Sequence, residues 1–113
     1  MSWPVLFAEA FEPIWNDLPK DVQAEARVYL LMLREYGPTL SRPHADTLKC
    51  SMPNLKELRM KLNGEWRFFF AFSPKRNGII LLGGNKAGNS ERFYKDNIKK
   101  AIRIYKIEVE KGK

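Results

Sequence analysis

The sequence predicts one α+β domain over residues 1–113, a mostly antiparallel sheet packed against helices in the order β-α-α-β-β-β-α. Three observations predict it. Apolar residues recur at spacings of three and four in residues 9–33 and again in 91–109, the period of a helix. Between them, two β-prone runs flank Asn63-Gly64, the strongest short-range signal of a tight hairpin. A chain of 113 residues, 44% of them apolar, fills one modest core and leaves no room for a second domain.

The elements follow in order. Residues 3–8 are apolar and short, and predict a first strand. Phe11, Ile14, Trp15 and Leu18 predict a short helix over 9–18. Pro19 suits the first turn of a second helix, where its missing N–H costs nothing. Val22, Ala26, Tyr29, Leu30 and Leu33 form that helix's apolar stripe, and Gly37-Pro38 stops it. Residues 38–54 hold Pro38, Pro43, Pro53 and Asn54 and predict an ordered connection rather than an element. Strands follow over 55–62 and 65–72. Residues 79–82, Ile-Ile-Leu-Leu, predict a third buried strand after the turn at 74–78. The last helix turns Phe93, Ile98, Ala101, Ile102, Tyr105 and Val109 inward and most of its lysines outward. All helices are expected on one side of the sheet.

Alternation separates the two faces of each strand. Trp66, Phe68, Phe70 and Phe72 are expected on the core face, with Arg67, Phe69 and Ala71 opposite. A two-residue Asn63-Gly64 turn sets Leu62 against Glu65 and Met60 against Arg67, which leaves Arg59 and Arg67 on different faces. A bulge, or a connection that shifts the pairing by one residue, would bring both arginines to one face.

Charge narrows the partner. Twenty Lys and Arg stand against thirteen Asp and Glu, a formal charge of +7. Residues 1–48 hold four basic and seven acidic side chains, and residues 49–113 hold sixteen and six. A field concentrated in one half favours an anionic partner such as RNA, DNA, an acidic protein segment or anionic lipid. Cys50 is the only cysteine, which excludes a disulfide scaffold and a zinc finger. The longest apolar run, Phe68 to Phe72, is far below the roughly 20 residues of a membrane span. With no signal-peptide pattern at the amino terminus, the expected setting is cytoplasmic.

Few residues carry chemistry unaided. Gly83-Gly84-Asn85-Lys86-Ala87-Gly88-Asn89-Ser90 has the flexibility of a phosphate loop but lacks the Gly-Lys-Ser/Thr ending and the GxGxxG pattern. Lys86 beside a helix N-terminus could still hold an RNA phosphate, and Ser90 is expected as the helix cap. His44 stands alone in a Pro-flanked loop, so neither a metal centre nor a Cys50 nucleophile has support. Ser41, Ser51, Ser73 and Ser90 lack a nucleophile-elbow context. Tyr94 is either a core-edge aromatic or a phenol at the mouth of the basic face. The pattern alone favours solvated strand positions for Arg59 and Arg67, paired to Glu57 or Glu65.

Several blocks taken together are more specific: Arg42-Pro43, Asp46-Thr47-Leu48-Lys49, Asn54-Leu55-Lys56-Glu57-Leu58-Arg59, Trp66-Arg67-Phe68, Leu81-Leu82-Gly83-Gly84-Asn85-Lys86 and Glu91-Arg92-Phe93-Tyr94. From about residue 3 to 105 the chain resembles the HigB-like, phage-derived branch of the RelE/ParE toxin superfamily. The resemblance implies a RelE-like, microbial-RNase-type fold and the toxin of a type II toxin–antitoxin pair. It implies a ribosome-dependent mRNA endonuclease that needs no metal or cofactor, in which a ribose 2′-OH attacks the adjacent phosphate. The implied partners are a DNA-binding, helix-turn-helix antitoxin of the HigA kind, the ribosome and mRNA, and no membrane. By resemblance Arg59, Arg67 and Lys86 would stabilise the phosphate, and Tyr94 or His44 would orient or transfer the proton. His44, Lys56, Lys61, Arg92 and Lys95 would hold RNA. The same scaffold also admits a ParE-like inhibitor of DNA gyrase, or an inactive RNA-binding relic.

Overall fold

A computed structural model describes residues 2–113. Strand β1 (Val5–Phe7) leads through a 3-10 turn (Glu9–Phe11) into α1 (Glu12–Asp17) and then α2 (Lys20–Tyr36). A second 3-10 turn (Gly37–Thr39) precedes β2 (Ala45–Thr47), followed by β3 (Lys56–Lys61), β4 (Glu65–Phe72), β5 (Gly78–Asn85) and α3 (Ser90–Glu110). The five strands lie in the order β1-β5-β4-β3-β2. Among the described residues only β1 and β5 run parallel; every other pairing is antiparallel.

The expected α+β order holds with one strand added. β2 lies inside the segment expected to be a connection, pairing Ala45 with Leu58 and Thr47 with Lys56. Three residues are too few to display a period, and the flanking prolines mask it. β5 also runs three residues further than its apolar run, through Gly83, Gly84 and Asn85. Asn89, not Ser90, caps α3, accepting a hydrogen bond from the Arg92 amide at 3.0 Å.

The helices pack on both faces of the sheet, not on one. Phe68 meets Phe11 edge-on at 6.1 Å, while its neighbour Phe69 stacks on Tyr94 at 5.9 Å and meets Phe93 edge-on at 6.0 Å. Consecutive residues of a strand point to opposite faces, so the first half of the chain covers one face and α3 the other. Phe68, Phe69, Phe70 and Ala71 are all buried, as expected of a central strand covered twice. A bulge pairs Phe69 with Leu82 but Phe70 with Ile80, leaving Leu81 as the extra residue of β5.

The far end of α3 is pinned by charge. Glu108 is 2% exposed and lies 2.6 Å from the Lys113 ammonium and 3.3 Å from that of Lys111. Lys111 also reaches Glu9 at 2.6 Å, and the Ser73 hydroxyl and Asn77 amide both donate to the Lys113 carbonyl. Burial alone would push the Glu108 carboxyl up, but hydrogen bonds from Lys113 and Lys111 outweigh it and hold it below the usual value. Lys111 lowers Glu9 in the same way and is itself raised, by its hydrogen bond to Glu9 first.

Depressed carboxyls stabilise the fold above their unfolded values and lose that contribution as acid protonates them. Thermal melts across pH are therefore expected to fall as the pH drops through and below the ordinary carboxyl value of 4.5, with Glu108→Gln flattening the decline. The raised Lys111 has the opposite sign, and its contribution disappears only as the pH rises beyond its ordinary 10.5. Packing gives a second test. A Cβ on Gly83 would sit 2.4 Å from the buried Phe68 ring, whereas one on Gly84 would rest 3.4 Å from Phe93. Gly83→Ala is expected to cost about 1–3 kcal/mol in urea denaturation. Gly84→Ala should change stability by about 0.5 kcal/mol or less.

Candidate active site

The β3–β4 hairpin places the cations. Its connection is three residues, Leu62-Asn63-Gly64, with Asn63 and Gly64 at φ of 50° and 152°. Pairing therefore sets Arg59 against Arg67 and Lys61 against Glu65. The two-residue turn expected from Asn63-Gly64 is corrected by one position, and that single step brings both arginines to one face. Gly84 lies opposite Arg67 on the other side, and the Lys86 amide donates to the Glu65 carbonyl at 2.8 Å. The end of β5 thus delivers Lys86 to the same face.

That face divides along its length. Near Phe69 it is apolar and covered by Phe93 and Tyr94 of α3. Toward the hairpin it is open, and an exposed cavity of about 540 Å³ lies there. β3 supplies Arg59 and Lys61 to its wall, β4 supplies Glu65 and Arg67, and Lys86 follows β5. Tyr29 of α2 and Arg42-Pro43 of the loop before β2 close the remaining side.

Arg67 is the fixed member, its side chain only 3% exposed. Its Nη1 donates to the Trp66 carbonyl at 2.9 Å and its Nε to the Tyr94 hydroxyl at 3.3 Å. Glu57 Oε1 lies 3.7 Å from Nε, and Glu65 Oε1 lies 4.0 Å from Nη2. The Tyr94 hydroxyl in turn donates to Glu57 at 2.7 Å. Burial first, and the hydrogen bond to Glu57 second, push the Tyr94 phenol up. Its proton stays on oxygen and is committed to Glu57.

The cations differ in how they are matched. Arg42 forks onto Asp46 at 2.7 and 3.0 Å, and Arg59 lies 3.8 Å from the same carboxylate. The Arg42 hydrogen bond holds Asp46 below the usual carboxylate value, and Arg42 is raised by the same bond. Lys61 stands 3.9 Å from Glu65 with its side chain 82% exposed. Among the described residues no carboxylate lies within 4 Å of Lys86; its ammonium is 3.4 Å from the Ser90 hydroxyl and 5.9 Å from the Tyr94 ring.

Three of the four residues expected to be catalytic, Arg59, Arg67 and Lys86, line one cavity, and Tyr94 touches it through Arg67. Of the five expected RNA contacts, Lys61 alone lines it. Arg92 shares an adjacent depression with Lys86. Lys95 is exposed further along α3. Lys56 donates to the Pro38 carbonyl at 2.9 Å and borders a separate depression. The His44 ring lies edge-on to Tyr29 at 5.7 Å, outside the cavity wall. The expectation of solvated arginines is corrected for Arg67, which is buried, though its pairing with Glu57 and Glu65 is as expected. Tyr29 and Arg42 were not expected at the cavity. Tyr29 sits on an apolar helical stripe that reads as core, and Arg42 reaches the site through a loop whose path no period reveals.

Fold and site together define a small α+β domain built around a cationic cavity at one end of its sheet. The chain belongs to the phage derived, Gp49-like protein family, whose pattern matches residues 14–106. "Putative toxin HigB3" of Mycobacterium tuberculosis is 44% identical over 82 residues, 72% of this chain and 71% of that protein. "Putative toxin HigB2" of the same organism is 38% identical over 93 residues; the match covers 80% of this chain but 46% of that longer protein. Among solved structures, an E. coli RelE toxin mutant in the free state superposes with a TM-score of 0.66 at 16% identity, over 88% of this chain and 97% of that one. A chain of the intact E. coli RelBE toxin–antitoxin complex gives 0.59 at 17% identity, over 74% of this chain and 96% of that one. The fold is therefore RelE-like.

The buried pair yields a stability test. Arg67→Ala leaves Glu57 buried without its cation and is expected to cost about 3–5 kcal/mol in urea denaturation. Arg67→Met combined with Glu57→Leu should recover most of that loss, because no unmatched charge remains. A double mutant as unstable as the single would contradict the pairing.

Proposed function

We propose that this chain is the toxin of a type II toxin–antitoxin pair and cuts mRNA on the translating ribosome. The observation that carries the proposal is the convergence of Arg59, Arg67 and Lys86, from three separate strands or strand ends, on one open cavity. Similarity to the HigB proteins, and to a chain of the RelBE toxin–antitoxin complex, supports the toxin assignment and an antitoxin partner. The proposed antitoxin is a DNA-binding protein of the helix-turn-helix kind.

The chemistry needs no metal. A ribose 2′ oxygen attacks the adjacent phosphorus, negative charge grows on the phosphate oxygens, and the 5′ oxygen leaves. Preorganised donors aimed at that growing charge lower the barrier. Arg67 is held by Glu57, Tyr94 and the Trp66 carbonyl, so it presents its remaining N–H groups without reorganising. Lys86, with no carboxylate within 4 Å among the described residues, supplies uncancelled charge at the phosphate. Arg59 and Arg42 flank the strand path of the RNA. Tyr94 acts through Arg67 as a positioning residue, since its own proton is engaged by Glu57. Lys61 and Arg92 extend the cationic surface toward the neighbouring nucleotides, each able to attract phosphate without base preference.

Lys86→Ala is the informative substitution because, unlike Arg67→Ala, it strands no buried partner. It is expected to slow mRNA cleavage by about 10²–10³-fold with an unchanged melting temperature. The check is mapping of mRNA 5′ ends after brief induction in bacteria, wild type against Lys86→Ala. Intact mRNA on wild-type expression, with gyrase supercoiling inhibited in vitro, would replace this proposal with the ParE-like one.

A further inference from the structure

Cleavage by a 2′ oxygen requires a group that accepts its proton, and guanidinium or ammonium groups have no lone pair to offer. The cavity wall holds five cationic residues, one phenol, one proline and one carboxylate, that of Glu65. Two other carboxylates stand nearby, and both are occupied. Asp46 accepts two hydrogen bonds from Arg42 on one oxygen and the Thr47 amide on the other. Glu57 is 4% exposed, accepts from Tyr94 and does not line the cavity. Glu65 differs on each count. Its side chain is 36% exposed, and among the described residues no protein group donates a hydrogen bond to its carboxylate. Its nearest cations, Lys61 and Arg67, stand at 3.9 and 4.0 Å, close enough to orient it and too far to take its lone pairs.

We infer that Glu65 is the proton acceptor for the 2′-OH; the assignment rests on the cleavage reaction proposed above. Glu65 takes the 2′ proton as the 2′ oxygen bonds to phosphorus. The bond from phosphorus to the 5′ oxygen breaks, and that oxygen takes a proton from the Lys86 ammonium. The products are a 2′,3′-cyclic phosphate and a 5′-hydroxyl end, and exchange with water returns the proton of Glu65 and restores that of Lys86. Backbone pairing supports the division of labour. The Lys86 amide donates to the Glu65 carbonyl, so acceptor and donor sit side by side, one at the start of β4 and the other just past the end of β5. The charged and titratable groups around Glu65 are Lys61 from β3, Arg67 from β4, Lys86 after β5, Arg42 and Arg59 along the wall, and Tyr29 from α2.

The test compares wild type, Glu65→Gln and Glu65→Asp in cleavage of a defined mRNA on stalled ribosomes, with binding and melting measured for each. Glu65→Gln keeps shape and removes basicity. It is expected to lower the single-turnover rate by about 10²–10⁴-fold. RNA binding should be unchanged or tighter, because an anion leaves a cationic pocket. The wild-type loss of rate toward low pH should vanish in Glu65→Gln and persist in Glu65→Asp. A Glu65→Gln protein that cuts at the wild-type rate with the same acidic limb overturns the assignment while leaving the nuclease intact. A wild type that cuts nothing under the same conditions overturns the nuclease proposal and this assignment with it.

Discussion

A guanidinium buried in the middle of a sheet has to be matched, and the way Arg67 is matched organises the molecule around it. Burying an unpaired ion costs several kcal/mol even after relaxation. Glu57 supplies the opposite charge from β3, the Trp66 carbonyl takes one N–H, and the Tyr94 hydroxyl takes another from α3. Three elements are thereby tied to one side chain. Tyr94 reaches Arg67 with its ring stacked on Phe69, and the far end of α3 is tied to the rest of the fold by Lys111 to Glu9 and by Ser73 and Asn77 to the Lys113 carbonyl. The electrostatics of the cavity and the packing of the last helix are one constraint seen from two ends.

The same face of the sheet explains why a cavity exists at all. α3 covers it over Phe69 and Gly84, where Phe93 rests close to the glycine backbone. Beyond Tyr94 the helix gives way to the connection over residues 86–89, and the hairpin end of β3 and β4 stays uncovered. An alternating strand exposes there whatever its odd-numbered positions hold: Arg59 and Lys61 on β3, Glu65 and Arg67 on β4. Charged residues at those positions would be errors in a fully covered sheet. They are tolerated here because water reaches all but Arg67, and Arg67 alone carries a buried partner.

How much of this was legible in the sequence depended on the range of the signal. The three helical stripes, the Asn63-Gly64 turn and the Ile79–Leu82 run act over a few residues, and each marks a real element. β2 was invisible because three residues between prolines carry no period. Placement of helices on both faces was hidden in Phe68-Phe69-Phe70, since a strand buried twice reads as continuously apolar and names neither face. The hairpin register turned on whether Leu62 belongs to the strand or to the loop, a difference of one residue that composition does not decide. That residue determined whether Arg59 and Arg67 share a face. Glu57 was legible as a partner for arginine but not as a buried one, because burial there comes from Tyr94 and α3, some 37 positions away in the chain.

Pairing most of the cavity's cations with carboxylates has a consequence for turnover. Five unmatched cations would hold substrate, transition state and product with nearly equal strength, and uniform binding of that kind does not raise the rate of the chemical step. Asp46 and Glu57 cancel much of the net charge of Arg42, Arg59 and Arg67 without removing their N–H donors from the site. What remains is directional: donors fixed in position answer charge that appears at particular oxygens, Lys86 among them, while Lys61 provides the long-range attraction. Under the proposed chemistry the guanidinium groups and Lys86 discriminate the transition state, while Lys61 recruits the polyanion. The acidic residues of the site are therefore as much a part of its design as the basic ones that first draw the eye in the sequence.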